Sequence, residues 1–246
     1  GEGEYISIQL GHKLIENINS NAIIICGGLQ ATEDPKLMAE LYPKIDYLIG
    51  GESEFVLLDL IKNLNKSNKI ENQPGVFSCK KNDTNNFKSK QEIISDMDLI
   101  GIYDYSLFDK QIFYRPYNGR VLKAIDYEIS RGCPFTCSYC VETVIQRYYN
   151  FLDTSNRGSL LQAKKYLRSK SAKRIFEEIK TINKKFDIEL FRLQDTNFLT
   201  VNRKVLIELS DLIANSDLDI IMYIETRPEG INEKSIELLK KLKVDG

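Results

Sequence analysis

Twice near the start of the chain, a short β-branched run ends in two glycines and gives way at once to a helix-forming stretch. That pairing leaves few folds open. Residues 21–28 read NAIIICGG and are followed by EDPKLMAELYP; residues 46–51 read DYLIGG and are followed by SEFVLLDLIKNLNK. A brief apolar run closed by glycines has the profile of a strand buried on both faces of a parallel sheet, and parallel strands need helical crossovers. Asp34 at the cap and Pro35 in the first turn start one helix. Phe55, Leu58 and the apolar residues of 61–64 form one face of the next. Residues 4–19 mix strand and helix periods and are assigned mostly to helix. The alternation predicts an α/β fold.

The second half repeats the pattern. Helices are expected at AKRIFEEIKTINKKF, RKVLIELSDLIANS and EKSIELLKKLK, with Ser171 and Asn202 as caps, and strands at DYEIS, ELFRLQD and DIIMYIETR. Three βα units in series match the first half of a β/α barrel, whose reactive groups sit on loops at the carboxyl ends of the strands. Between the halves, residues 65–90 shift toward Asn, Lys and Ser, broken by GVFSCK, which suits an edge hairpin and a linker. Asn118 and Gly119 are a strong hairpin-turn signal. The expected organisation is a first domain at 1–90, a linker at 91–120 and a second domain at 121–246, with the boundary inside 85–105.

Charge narrows the function classes. The formal net charge is −1, so no global field draws the chain to nucleic acid or to an anionic membrane. Its longest apolar runs fall far short of the roughly 18 residues of a membrane span, and no signal peptide is visible. Five cysteines, three of them clustered, fit metal-bound thiolates in a reducing cytoplasm better than a disulfide framework. Residue 1 is Gly, and the sequence stops just after a predicted helix. A fragment of a longer protein is expected, one that exposes sheet edges and apolar helix faces when alone.

The chemistry concentrates in RGCPFTCSYC. Cys133, Cys137 and Cys140 place three soft thiolates on one short loop, a ligand set that suits a cubane iron–sulfur cluster with one iron left open. Gly132 permits a tight backbone path and Pro134 stiffens it. The alternative is zinc with a fourth ligand such as Cys79 or His12, although structural zinc sites usually use paired C-x-x-C knuckles. Cys26 and Cys79 read as ordinary buried thiols.

The C-x-x-x-C-x-x-C spacing, Tyr139 before the last cysteine and the strand-like AIDYEIS leading in together resemble the radical S-adenosylmethionine (radical SAM) superfamily. The resemblance implies a 4Fe–4S cluster on Cys133, Cys137 and Cys140. It also implies SAM chelated to the open iron and cleaved on one-electron reduction to a 5′-deoxyadenosyl radical. It places Tyr139 near the SAM adenine, with core packing as the alternative. RLQDTNF, with Asp195 and Asn197, looks like the D-x-x-F element of radical SAM proteins that carry a cobalamin domain. That element occupies the place of the acidic motif that holds the SAM amino group, and a plain helix N-cap is the alternative. In YIETRPE, Glu225 and Arg227 lie two apart and are expected on one barrel-interior face. SAM's carboxylate or a substrate acid would partner Arg227, as would a neighbouring acid of the chain. Arg168 matches a family position before the first barrel helix, with Ser169 as a cap.

GGLQATEDP followed by DYLIGGESEFVLLDLI resembles the second half of a cobalamin-binding domain. Its glycine turns, here Gly27 and Gly28, then Gly50 and Gly51 with Glu52, line the pocket for the corrin's nucleotide tail. The D-x-H-x-x-G element of that family is missing, and His12 in LGHKL lacks the Asp two places before it. Cobalamin is therefore expected in the intact parent rather than in this chain. The fold implied is a partial Rossmann-like domain of cobalamin-binding type, followed by the first half of a radical SAM β/α (TIM-like) barrel. The parent would transfer a methyl group through methylcobalamin, or rearrange or cyclise a small-molecule substrate, with an electron donor such as flavodoxin or ferredoxin. An iron–sulfur redox or binding module without SAM cleavage, a zinc-stabilised structural domain and a transfer-RNA methylthiotransferase remain alternatives.

Overall fold

The computed structural model describes residues 2–17, 21–66, 73–79, 91–153, 155 and 159–246. Part of the expected linker and boundary, at 67–72 and 80–90, lies outside them. The chain divides into two compact units, one of Gly1–Ile93 with Cys137–Arg157 and one of Ile94–Thr136 with Gly158–Gly246.

The first unit contains α1 (Glu2–Asn17), β1 (Ile25–Cys26), α2 (Leu29–Glu33), α3 (Pro35–Leu41), β2 (Tyr47–Ile49), α4 (Glu54–Lys66), β3 (Val76–Ser78) and α5 (Glu142–Tyr148). β1 and β2 run parallel, and β3 lies antiparallel along β2 with Phe77 opposite Leu48. GVFSCK thus supplies a strand that pairs with β2, and the residues that follow it, 80–90, lie outside the described ones. Successive residues of β2 point to opposite faces. Leu48 enters a cluster with Ala31, Met38, Tyr42, Ile45 and Phe77, while Ile49 meets Leu60 and Val76. The sheet is covered on both sides, which is why β2 reads as a continuous apolar run. Asp34 caps α3 by accepting from the Leu37 N–H at 2.9 Å, with Pro35 in the first turn.

The second unit contains β4 (Tyr114–Tyr117), β5 (Arg120–Tyr127), β6 (Ser130–Arg131), α6 (Ala163–Tyr166), β7 (Arg168–Ser169), α7 (Ala172–Phe186), β8 (Leu190–Leu193), α8 (Arg203–Ala214), β9 (Ile221–Tyr223) and α9 (Glu233–Lys241). β4 and β5 form a hairpin whose turn residues, Asn118 and Gly119, both take positive φ, as its tight turn requires. β5, β8 and β9 are parallel, with Asp126 opposite Arg192 and Arg192 opposite Tyr223. Val244 adds a parallel bridge to Met222. The first barrel-type strand starts six residues earlier than DYEIS and ends at Tyr127; Ser130 and Arg131 pair separately with Ser169 and Arg168.

One face of this sheet presents Ile125, Tyr127, Phe191, Leu193, Met222 and Ile224 to the apolar stripes of α7, α8 and α9. Ile175, Ile179 and Ile182 make the α7 stripe at helical spacing, all at most 1% exposed. Each such side chain contributes about 1.5–3 kcal/mol by leaving water. Leu122, Ala124 and Leu190 on the opposite face meet Tyr117, Ile221 and Tyr223. Ser171 accepts from the Arg174 N–H and Asn202 from the Lys204 N–H, so both expected caps form, and Ser169 belongs to β7 instead.

Candidate functional site

In the second unit, the loops at the carboxyl ends of the parallel strands are tied to one another by the side chains that the sequence singled out. Asp195, just past β8, is 1% exposed. Its carboxylate accepts a short hydrogen bond from the Ser130 hydroxyl and a longer one, 3.5 Å, from the Ile129 N–H. Burial pushes the Asp195 carboxyl up to about 7; the Ser130 hydroxyl works against this and the Glu128 charge adds to it. Asn197 is 4% exposed, and its Oδ1 accepts from the Thr226 hydroxyl at 2.8 Å and from the Arg227 N–H at 3.3 Å. The loop after β8 is thus fastened both to β6, at the root of the cysteine loop, and to the loop after β9. Neither side chain serves as the helix N-cap weighed as its alternative: Asn197 precedes a short 3₁₀ turn without capping it.

Arg227 corrects an expectation. β9 ends at Tyr223, so Glu225 and Arg227 do not share a strand face; Glu225 is exposed and Arg227 half-buried. The Arg227 Nη2 donates to Glu229, not Glu225, and its guanidinium lies 4.2 Å from the centroid of the Phe135 ring in the cysteine loop. A cation over an aromatic face is an attractive contact. It closes a triangle of three loops in which Asp195, Asn197 and Arg227 each form one link.

The cysteine loop passes from the second unit, which holds Cys133, into the first, which holds Cys137 and Cys140. Cys133 is buried and Cys137 and Cys140 are half-buried. Gly132 takes φ +93°, and a Cβ there would stand 2.6 Å from the Tyr166 carbonyl oxygen, so only glycine fits. Cys137 and Cys140 flank a turn closed by the Cys140 N–H on the Cys137 carbonyl at 3.0 Å, and Thr143 hydrogen-bonds the Cys140 carbonyl as α5 begins. Tyr139, at the tip of this turn, is 88% exposed, which rules out core packing.

All five cysteines are thiols rather than disulfides. Cys26 and Cys79, expected to be buried, are half-buried; partial burial pushes the Cys79 thiol up to about 11 and raises Cys26 as well. Among the described residues no ready-made group of three His, Cys, Asp or Glu ligands is gathered. The donor chemistry of the loop, three soft thiols within eight residues on irregular backbone, nonetheless suits an iron–sulfur cluster.

The glycine turns of the first unit differ from each other. At the first, Gly27 and Gly28 follow β1, Gly28 with φ +96° and open space where a Cβ would stand. Side chains of the chain itself fill the second. The Gly51 N–H donates to the Thr32 hydroxyl at 2.9 Å, the Glu52 N–H to the Tyr149 hydroxyl at 2.7 Å, and the Gly50 carbonyl accepts from Gln91 and Tyr148. The backbone donors that a corrin tail would use at Gly51 and Glu52 are therefore engaged. The His12 ring packs tilted against Tyr42, centroids 4.5 Å apart, and Arg168 donates to the carbonyls of Tyr166 and Ile94.

One cluster escaped the sequence. Glu178 on α7 is 1% exposed and receives hydrogen bonds from the Tyr127 hydroxyl, from Lys170 at 2.7 Å and from Arg174. Lys170 also lies 4.7 Å from the centroid of the Tyr127 ring. The signal was a glutamate sitting on the α7 stripe, between Ile175 and Ile182, where an apolar residue belongs.

Comparison with known proteins gives what the chain is similar to. A family model described as the radical SAM superfamily matches residues 127–246. An uncharacterized methyltransferase of Pyrococcus horikoshii is 28% identical over 232 residues, 93% of this chain and 45% of that protein. An anaerobic magnesium-protoporphyrin IX monomethyl ester cyclase of Cereibacter sphaeroides is 30% identical over 238 residues, 93% of this chain and 34% of the cyclase. Among solved structures, the radical SAM methyltransferase TsrM of Kitasatospora setae, with cobalamin and a 4Fe–4S cluster bound, shares the fold. Its TM-score is 0.61 at 15% identity, over 96% of this chain and 43% of that one. The cobalamin-dependent radical enzyme OxsB, with aqua-cobalamin and SAM bound, gives 0.59 at 19%, over 98% of this chain and 31% of that one. The chain spans less than half the length of each of these relatives. No helix among the described residues is long and apolar enough to cross a membrane.

Proposed function

We propose that residues 127–246, which match the radical SAM family model, belong to that superfamily, whose members need a 4Fe–4S cluster and SAM, and that Cys133, Cys137 and Cys140 ligate the cluster in this chain. The observation that carries the reading is the trio of thiols on one irregular loop immediately after the β6 strand. When bound, the cluster and SAM together supply one-electron reductive cleavage of SAM. Metal binding draws thiolates into place and releases their protons, so the ligand group completes itself on loading. Gly132 sets the entry of the loop against Tyr166, and Arg227 holds Phe135 within it. In this reading the ring of Tyr139, which is exposed, stacks on the SAM adenine. Asp195 and Asn197, buried and engaged with neighbouring loops, act in this reading as positioning residues that fix the strand-end loops around SAM, not as groups that touch it.

The fold in this reading is a partial Rossmann-like unit of cobalamin-binding type ahead of the first half of a β/α barrel. The similarity to TsrM and OxsB supports it. Cobalamin has an open turn at Gly27 and Gly28 but not at Gly50, Gly51 and Glu52, so no step is assigned to it in this chain. The intact protein would perform methyl transfer or radical rearrangement or cyclisation of a small molecule, using a one-electron donor. A methyltransferase and cyclases among the relatives support both chemistries. The test is anaerobic reconstitution of the intact protein: about four iron per chain and reductant-dependent release of 5′-deoxyadenosine are expected. Both should vanish in the triple Cys133→Ala, Cys137→Ala, Cys140→Ala variant. Stoichiometric zinc in place of iron, or a cluster without SAM cleavage, would overturn the proposal.

A further inference from the structure

The second unit buries a charged network where its cysteine loop begins. Lys170 is 3% exposed, Tyr127 2% and Glu178 1%. One Glu178 oxygen accepts from Lys170 at 2.7 Å and from the Tyr127 hydroxyl, and the other accepts from Arg174. Lys170 also lies over the Tyr127 ring. Stability alone is a poor reason for such a network, because a buried ion pair is often no more stabilising than well-packed apolar side chains of the same volume. What its hydrogen bonds add is direction: they fix both the distance and the angle between the elements that they join.

Those elements frame the entry to the cysteine loop. Tyr127 is the last residue of β5, while Arg174 and Glu178 lie on α7. Lys170 follows β7 directly, and its N–H donates to the Ile129 carbonyl at 2.9 Å. β7 in turn pairs Ser169 with Ser130 and Arg168 with Arg131 on β6. Gly132 and Cys133 come next, the glycine with no room for a Cβ beside the Tyr166 carbonyl. From Glu178 the bonds therefore run through Lys170 to Ile129, and the chain continues along β6 to the buried Cys133. Arg174 ties the same helix to the Ile100 carbonyl at 3.0 Å.

We propose that Tyr127, Lys170 and Glu178 are positioning residues for Cys133: they hold the root of the ligand loop so that its first thiol stands ready for the cluster. The proposal rests on the cluster reading above and names residues outside the loop that preorganise it. Supports of this kind orient a metal ligand without touching the metal, and their loss costs about ten- to hundred-fold in metal affinity.

The test replaces the network by apolar side chains in the intact protein, with Tyr127→Phe, Lys170→Met and Glu178→Leu combined. No fully buried charge is stranded, since Arg174 is partly exposed, so the apo variant should keep a urea midpoint at or above the parent's. Two readouts should move nevertheless. In the reduced apo protein, alkylation of Cys133 by iodoacetamide, followed by mass spectrometry, should run about ten-fold faster than in the parent, with Cys137 and Cys140 within about two-fold. After anaerobic reconstitution, iron should pass to bathophenanthroline at an about ten-fold lower chelator concentration. Tyr127→Phe alone keeps the ring under the ammonium and drops one donor; it should shift both readouts the same way by about two- to five-fold. Parent-like alkylation and chelator resistance in the stable triple variant would overturn the proposal. So would changes in either variant that merely track a lower urea midpoint, which would make the network a support of the fold alone. A parent that takes up no iron would refute the cluster reading, and alkylation of Cys133 in the apo chain would still decide whether the network holds that residue.

Discussion

Replacing Asp195 by Asn removes the ionisable group from a side chain that is 1% exposed, while keeping an oxygen to accept from the Ser130 hydroxyl. In the unfolded chain an aspartate titrates near about 3.9; in the folded protein, burial holds Asp195 at about 7. Between those values the folded state binds a proton that the unfolded state lacks. Stability must therefore fall as pH rises through this window and level off outside it. At about 1.4 kcal/mol per pH unit, the window carries at most about 4 kcal/mol. The parent should lose urea resistance between pH 5 and 7.5, and Asp195→Asn should lose clearly less, becoming the more stable of the two at pH 8. Helix loss followed by circular dichroism under anaerobic conditions reads this directly. Parallel profiles for the two proteins across that range would mean that Asp195 is ionised throughout, and the burial argument would fail. SAM affinity gives an independent check. A positioning role predicts that Ser130→Ala weakens SAM binding in the same direction as Asp195→Ala, whereas direct contact with the SAM amino group predicts a loss for Asp195 variants alone.

Glu178→Ala strips the buried Lys170 of its carboxylate and should cost about 3–5 kcal/mol in urea melts. Adding Lys170→Met should recover much of that loss, since it removes the fully buried uncompensated charge and leaves only the partly exposed Arg174 without its carboxylate; strictly additive costs would refute the network. Gly132→Ala forces a side chain into φ +93° and against the Tyr166 carbonyl. A cost of about 2–4 kcal/mol and a lower iron content after reconstitution are expected. Parent-like melting and iron loading would show that the loop relaxes without penalty.

The Asn118–Gly119 turn, the caps at Asp34, Ser171 and Asn202, and the β-branched runs with their glycine endings were legible before any coordinates. Each depends on residues within a few positions of one another, where backbone preference and capping chemistry act. The three cysteines were legible for the same reason, as was the resemblance to the radical SAM superfamily that they carry. Strand limits were less so: DIIMYIETR contributes only Ile221–Tyr223 to the sheet, because pairing partners and not propensity decide where a strand stops.

What the tertiary structure alone decided is the employment of the polar side chains. The hydroxyl that takes up Asp195 comes from 65 positions away, and the tyrosine that occupies the Glu52 N–H comes from 97. Nothing local in QDTN or GGES announces either partner. Arg227 could be paired with Glu229 and set over Phe135 only once β9 was seen to end at Tyr223. Side-chain identity determines which bonds a residue is able to make. Which of them it makes, when it is buried and must be satisfied, depends on the neighbours that folding brings to it.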